Sequence, residues 1–534
     1  MAVRRWDGWI DDGAVAPELP ASATRLLEAE IGPGTPPRDA TLAAVAAGLA
    51  DGRLGADARW SSDPEDRIRH SRGQSLPDWI ALRSGRLGRV VDAVARPGSG
   101  EGVRAVLSAA RRAGAAVIPI GGATSVVGGV TPDPDEDRPV IALATEALAG
   151  LEALDERSGL ATFGAGTLGP AIEEALAPRG LTLGHLPQSW ERSTVGGWVA
   201  ARSAGQESIG YGRIEALFAG GVLEAPAGTL PLEPFPASAA GPDLRELVLG
   251  SEGRFGVLTR VVVRAVPRPA LQATPAWFLP DWPRAVEAAR EIARARLPLA
   301  MVRLSTPIET ATVLALAGES TGLGLLRGYL RLRRIGPEPC LLVVLASGLE
   351  RLVEPAVREV GSIVRRHAGT GVGGALGRQW VRSRFRTPDL RDALWERGYA
   401  VDTLETATSW ARLPELAAAV GRALRHGLDD AGERTHAFSH LSHVYPSGSS
   451  LYTTYVFRLA EDPDETLERW LRLKTAASDA IVAAGGTISH QHGVGRDHRP
   501  WLAAEKGELG IAVLEDVARR LDPEGLMNPG VLLR

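Results

Sequence analysis

Three glycine-bearing segments, spaced through the first half of this 534-residue chain, constrain its fold more than any other feature. The first, Pro119-Ile120-Gly121-Gly122-Ala123-Thr124-Ser125, ends the apolar stretch Ala115 to Ile120. The second is Ser193-Thr194-Val195-Gly196-Gly197-Trp198, continuing through Ala201-Arg202-Ser203-Ala204-Gly205. The third, Gly250-Ser251-Glu252-Gly253-Arg254-Phe255-Gly256, leads into Val257 and Leu258 of another apolar run. Adjacent glycines let successive backbone N–H groups point into one concavity, an anion nest suited to a pyrophosphate. Singly, each also fits an ordinary turn between strands. The first lacks the GxGxxG spacing of a dinucleotide fingerprint, and the only lysines, Lys474 and Lys506, lie far from any glycine loop.

The chain is longer than one hydrophobic core usually organises, so two or three domains are expected. Residues 1–85, rich in Pro, Asp and Arg, read as an extended N-terminal arm with little core of its own and a helical piece at Leu42 to Leu49. Residues 86–267 give a helix over Ser99 to Ala113, the strand and first loop, strands at Val140 to Leu143 and Leu160 to Phe163, a helix over Leu168 to Ala177, and a strand from Val257 to Val266. That succession is α+β, with a ligand expected at a strand end. Pro267 and Pro269 punctuate a boundary. Residues 268–481 alternate helices and strands in a different style and read as a cap or substrate domain. Residues 482–534 form a C-terminal Gly/His segment, an amphipathic helix over Ile511 to Leu521 and a Pro/Gly-rich tail.

Composition excludes several function classes. A formal net charge of −4 gives no general attraction to nucleic acid or anionic membrane. Cys340 is the single cysteine, so neither a disulfide framework nor a thiolate metal site can form within one chain. The opening MAVRRWDGWIDDG has no apolar run of signal type, and the stretch Cys340 to Ala346 falls short of the roughly 20 residues a spanning helix needs. A cytoplasmic protein is expected.

Taken together, PIGGATS, STVGGWVAARSAG and GSEGRFGVLT resemble, in order and spacing, the vanillyl-alcohol-oxidase-type (PCMH-type) FAD-binding family. The resemblance covers about residues 86–267, with a return at SHQHGVG and DPEGLMNPG. It implies an α+β fold: a two-subdomain FAD-binding domain clasping one extended FAD, with an α/β cap domain over the flavin. It places the seven residues of the first loop on FAD. It adds Gln188, Ser189, Ser193, Thr194, Gly196, Gly197, Ala201, Arg202, Ser203, Ala204, Glu252, Gly253, Gly256, Val257 and Leu258. Ile120 to Ser125 contains no His or Cys, so FAD is expected to be non-covalent.

Within that superfamily the chain is similar, nearly end to end, to the alkyldihydroxyacetonephosphate synthase family. The similarity begins at Trp6-Asp7-Gly8-Trp9 and includes Gly184-His185-Leu186-Pro187, Arg303 in VRLS, Arg391 in LRDAL and Glu405-Thr406 in LETA. It continues through Tyr445, Gly448 and Tyr452 to Ser489-His490-Gln491-His492-Gly493-Val494-Gly495. The resemblance implies exchange of the acyl chain of an acyl-dihydroxyacetone phosphate for a fatty alcohol through a flavin N5 adduct, the ether-forming step of ether lipids. It implies Tyr452 as catalytic acid/base with His492 and His490 as partners, and Arg391 as a bidentate phosphate or carboxylate clamp. Arg303 and His185 would order the substrate. A small-molecule or lipid substrate, peripheral membrane contact for its delivery and a homodimer are expected, without nucleic acid.

By residue type alone, Tyr452 reads as a packed strand residue and Arg303 and Arg391 as surface ion-pair formers; the matching context gives them their roles. Gln491 stands where the family has the central histidine of three, and cannot carry a proton between pH 5 and 8. His440 and His443 stand where the synthases have Arg and Gln, and Leu186 and Gln188 replace acidic residues. The rival reading is an FAD-linked oxidase or dehydrogenase of a 2-hydroxy acid or alcohol; a third is a non-catalytic flavin binder. Metal-assisted dehydrogenases carry a Glu where this chain has Gln491. Without a carboxylate, His440, His443 and His492 would make a poor site, so no metal is expected.

Overall fold

The computed structural model describes residues 3–318 and 321–534; Met1 and Ala2 of the N-terminal arm and Glu319 and Ser320 of the cap lie outside the described residues. The helix expected over Ser99 to Ala113 runs Gly100–Arg112, with Ser99 Oγ accepting the Gly102 N–H at 3.1 Å as its N-cap. Its apolar stripe (Val103, Val106, Leu107, Ala110) packs on a small sheet. That sheet is ordered Trp60–Ser61, Ala93–Ala95, Val140–Ala144, Ala116–Ile120, and its last three strands are parallel. Ligands of such sheets collect at the carboxyl ends of the strands, and the first glycine loop leaves the carboxyl end of Ala116–Ile120.

A second, antiparallel sheet is ordered Leu151–Asp155, Leu160–Gly164, Val257–Arg264, Phe218–Ala225, Gly228–Leu232. Helices Gly169–Leu176 and Val195–Ala201 cover one face, burying Ile172, Leu176, Val195 and Trp198 against Phe163, Val261 and Val263. The C-terminal return closes the two sheets together. Val117 N–H donates to Leu526 O and Asn528 N–H to Val117 O, both at 2.8 Å, so the tail pairs along the strand that carries the first loop. The helix expected over Ile511 to Leu521 is the second part of Arg499–Leu521, which bends at Gly507 (φ 69°).

The cap alternates helices and strands as expected, yet its nine-stranded sheet pairs antiparallel throughout. One side of it runs Leu299–Ser305, Thr435–Leu441, Gly448–Arg458 and, at the edge, Tyr399–Ser409. Helices Trp282–Arg294, Glu350–Arg366, Leu413–His426 and Pro463–Ala483 pack on one face around Leu342, Val344, Leu451, Tyr455 and Phe457. Side chains alternate along a strand, so the residues between these point the other way, toward the FAD unit.

The N-terminal arm is more ordered than its composition implies. It carries helices Ala21–Ile31, Leu42–Ala47, Pro64–Arg69 and Leu76–Ser84. Its sparse apolar residues are spent on another unit's core: Trp79 and Leu76 join the cap cluster, and Leu27 and Ile31 meet Tyr399 and Val456. A buried ion pair pins it there. Arg83 meets Asp392 and, at 2.7 Å, Asp39, while Asp392 accepts the Trp9 and Ile10 N–H groups at 3.0 and 3.3 Å. With no periodic apolar stripe of its own, this segment gave no local signal of a packed structure.

Candidate active site

The three glycine loops converge on one cavity of about 1100 Å³, larger than the roughly 300–1,000 Å³ of ordinary ligand pockets. Each loop holds one non-glycine residue in the left-handed region: Ala123 (φ 50°), Arg202 (φ 53°) and Glu252 (φ 49°). Such conformations cost free energy and persist where the surroundings over-determine them. Here the surroundings are the other loops. Glu252 N–H donates to Ala200 O at 2.9 Å, and the Glu252 carboxylate accepts the Val494 and Gly495 N–H groups at 2.6 and 2.7 Å. Burial pushes that carboxyl up to about 7 despite these two donors. Asn528 Nδ2 donates to Glu252 O and Gly129 O, and Arg4 reaches the Gly122 and Ala123 carbonyls at 3.3 and 3.2 Å. The loops approach so closely that a Cβ on Gly122 would strike the Arg192 carbonyl, and one on Gly121 the Thr194 hydroxyl.

The cap sheet supplies the opposite wall through its strand alternation. Met301, Arg303 and Ser305, then His436, Phe438 and His440, then Tyr452, Thr454 and Val456 line the cavity from adjacent strands. The register sets Tyr452 directly between Glu405 on one neighbour and His440 on the other. The His440 ring stacks on Tyr452 at 5.0 Å, and His492 meets Tyr452 edge-on at 5.6 Å. The Tyr452 hydroxyl bonds Thr403 and stands 3.5 Å from Gln188 Oε1.

Burial pushes the Tyr452 phenol well above its ordinary range and pushes the His492 imidazole down. Near neutral pH the pair is therefore a protonated phenol beside a neutral imidazole, one donor and one acceptor. Arg303 and His440 form a locked unit with Glu309. Arg303 donates to Glu309 at 2.7 Å, and His440 Nδ1 lies 2.7 Å from the same oxygen. Burial alone would raise the Glu309 carboxyl, but Arg303 and His440 hold it down to about 2.

Tyr452, His492, Arg391 and Arg303 all reach the cavity, as does every residue expected on FAD except Arg202. Three expected site residues fall outside its lining. Arg202 turns outward to Glu246 at 2.9 Å, because its left-handed backbone ends a helix and aims the side chain away. His185 lies behind the second loop, its ring tilted 54° against Trp198 at 4.8 Å and bonded to Ser203 Oγ at 2.9 Å; it supports the loop from its rear. His490 points away from the cavity, held by the Tyr445 hydroxyl 2.7 Å from Nε2. One and two positions on, the same segment places Gln491 and His492 in the lining.

Sequence reasoning gave no role to two residues that the site contains. Glu405, fully buried, sits beneath His490, His443 and His492, with His490 Nδ1 3.2 Å and His443 Nε2 3.8 Å from Oε1. It is the carboxylate that the histidine-only reading lacked. Burial would raise it, yet those histidines hold it well below the usual carboxylate range. Arg384 lines the cavity with Nε and one terminal nitrogen unpartnered; its other terminal nitrogen meets Glu207 at 2.7 Å, and its plane lies over Phe385 at 4.9 Å. The arginine run from Arg378 to Arg391 was its signal in the sequence.

The residues present fit FAD. A glycine cradle that no side chain could enter, helix and loop N–H groups, and small hydroxyl side chains (Thr124, Ser125, Ser193, Thr194) form one end of the cavity, and these suit a pyrophosphate. The chain matches the family described as FAD binding domain over residues 91–230, and that described as FAD linked oxidases, C-terminal domain, over residues 268–532. A 4-ethylphenol oxidase from Gulosibacter chungangensis, 13% identical, has the same fold with a TM-score of 0.68 over 89% of this chain and 94% of that one. Fold and site thus define an FAD-dependent enzyme of the vanillyl-alcohol-oxidase type, acting on a small molecule.

The alkyldihydroxyacetonephosphate synthase of Dictyostelium discoideum is 30% identical over 474 residues, 88% of this chain and 77% of the relative. A solved alkyldihydroxyacetonephosphate synthase, 26% identical, superposes with a TM-score of 0.82 over 98% of both chains. The chain belongs to the alkyldihydroxyacetonephosphate synthase family.

Proposed function

We propose that this enzyme exchanges the acyl chain of an acyl-dihydroxyacetone phosphate for a fatty alcohol, forming the ether bond of ether lipids. The observation that carries the reading is the continuity of the cavity. It leads from the glycine loops past Tyr452 and His492 to an apolar wall of Leu19, Leu27, Leu316, Leu394 and Val456. An oxidase of small hydroxy acids needs no such wall; two aliphatic chains do.

Bound against the three loops, FAD would supply the covalent chemistry at the reacting carbon. The remaining work falls to side chains. Tyr452 donates a hydrogen bond to the substrate ketone, and neutral His492 accepts the proton that leaves the substrate. Gln491 orients by hydrogen bonding and moves no proton. Arg391 binds the phosphate: its face rests on Trp79 at 4.3 Å and Gln74 O fixes Nη1 at 2.7 Å, leaving the fork pre-aimed. Arg384 adds open donors nearby. Aliphatic chains against the wall keep water from the reacting carbon. Arg303, locked to Glu309 and His440, orders the substrate from the cavity wall, and His490 acts behind this layer.

We also propose division of the chain at residues 85/86, 267/268 and 481/482, a homodimer, and a cytoplasmic setting with peripheral membrane contact. No helix among the described residues is long and apolar enough to cross a membrane. Leu325 and Leu332, 73% and 80% exposed on helix Thr321–Leu332, stand beside Arg327 and Arg331 and suit an anionic lipid surface.

The test is to supply acyl-dihydroxyacetone phosphate with labelled long-chain alcohol. One ether is expected per fatty acid released, without oxygen consumption. Oxygen uptake on hydroxy acids with no alcohol incorporated would replace this reading with the oxidase one. In the same assay, Arg391→Lys is expected to raise KM for the phosphate substrate by roughly 10-fold or more while largely keeping kcat, because an ammonium cannot reproduce the fork.

A further inference from the structure

Behind the wall that carries Tyr452, two imidazoles and a carboxylate face one another. Glu405, His443 and His490 are all buried, and their facing atoms lie within 4.8 Å of one another. A tetrahedral zinc-type ion with bonds of about 2.0–2.1 Å holds its ligand atoms roughly 3.3 Å apart. The separations from Glu405 Oε1 are 3.2 Å to His490 Nδ1 and 3.8 Å to His443 Nε2. His490 Nδ1 pairs with Glu405 Oε1 across 3.2 Å without a well-aligned hydrogen bond, and Glu405 Oε2 accepts no hydrogen bond. Buried polar atoms are rarely left so.

The outer contacts match those of metal ligands. A ligating histidine almost always gives its other ring nitrogen to an oxygen, which fixes tautomer and ring orientation. His443 Nδ1 stands 2.9 Å from Ser208 Oγ, and His490 Nε2 stands 2.7 Å from Tyr445 OH. In the tautomers protonated on these outer nitrogens, each ring turns a lone-pair nitrogen toward Glu405. The two rings lie 4.9 Å apart and 30° from parallel. Ser442 Oγ donates to Glu405 Oε1 at 3.0 Å and orients the carboxylate.

We propose that Glu405, His443 Nε2 and His490 Nδ1 bind one divalent transition-metal ion of zinc type. Two imidazoles and one carboxylate are a donor set for such ions rather than for magnesium or calcium. Three protein ligands leave a fourth position open. His443 borders the main cavity, and His492 Nε2 lies 4.0 Å from Glu405, so that position opens toward the substrate side. Gln491 takes no part, so this set differs from any built on a glutamate at that position.

The test uses the FAD-loaded full chain, stripped of metal by dialysis against chelator and titrated with zinc alone, with bound metal counted by elemental analysis. One ion per chain is expected. His443→Ala and Glu405→Gln should each weaken binding by at least ~100-fold, and Ser208→Ala by roughly 10-fold through the freed imidazole. His426→Ala, at an exposed histidine, should bind as the parent does. FAD content and Tm serve as the folding check; should Glu405→Gln lose FAD, His443→Ala and Ser208→Ala carry the test. Absence of stoichiometric zinc in the folded parent overturns the proposal, as does undiminished affinity in folded His443→Ala.

Discussion

Gly122→Leu is expected to give a folded but colourless protein. A Cβ at this position would drive into the Arg192 carbonyl, a backbone atom that cannot swing aside. Relief requires the first and second loops to separate, and their close approach is what forms the nest. The substitution thus acts by prising two loops apart. A fall of about 100-fold in FAD affinity, equivalent to about 2.8 kcal/mol, is the smallest loss consistent with that geometry. Gly121→Ala should be milder. The obstacle there is the Thr194 hydroxyl, whose displacement forfeits an N-cap contact to Gly197 worth roughly 1 kcal/mol. Gly55→Ala, which meets nothing, should bind FAD normally. Titration of apoprotein with FAD, followed by flavin fluorescence, checks all three.

Tyr452→Phe is expected to bind FAD with unchanged affinity and to lose turnover by ~10²–10⁴-fold, or roughly 3–5 kcal/mol of barrier. The ring packs between His440 and His492, and both contacts survive in phenylalanine. Only the hydroxyl and its contacts to Thr403 and Gln188 Oε1 go. A drop in kcat with KM nearly constant would mark an interaction made in the transition state. Full activity in this variant would remove Tyr452 from the mechanism, and loss of FAD would mark the residue as structural.

The cofactor end of the site was legible because its chemistry is local. Gly121-Gly122 and Gly196-Gly197 announce close backbone approach within a few residues, and their order along the chain is family-specific. The catalytic wall was legible only by resemblance. Nothing local distinguishes Tyr452 from Tyr455 three residues later, which faces the helical core and bonds Asp402. Alternation divides them, but only the strand register reveals what each meets. Glu405 was hidden for the same reason. It lies 38 residues or more from the histidines it faces, and a carboxylate inside an apolar strand gives no periodic signal. His490 was misplaced because its segment is an irregular loop without alternation: two positions on, His492 lines the cavity, while Tyr445 holds His490 outward. Trp79 and Leu76, in a segment read as an arm, show how apolar residues too few for a core of their own can complete another's.

The central claim is that this FAD enzyme joins an alcohol to its substrate without net oxidation. Anaerobic mixing of purified protein with acyl-dihydroxyacetone phosphate, with flavin absorbance recorded through time, tests it most directly. Exchange without net oxidation gives a change that reverses when fatty alcohol is added, with no electron acceptor present, and ether product in step with the recovery. Durable bleaching that only oxygen or another acceptor reverses would contradict it.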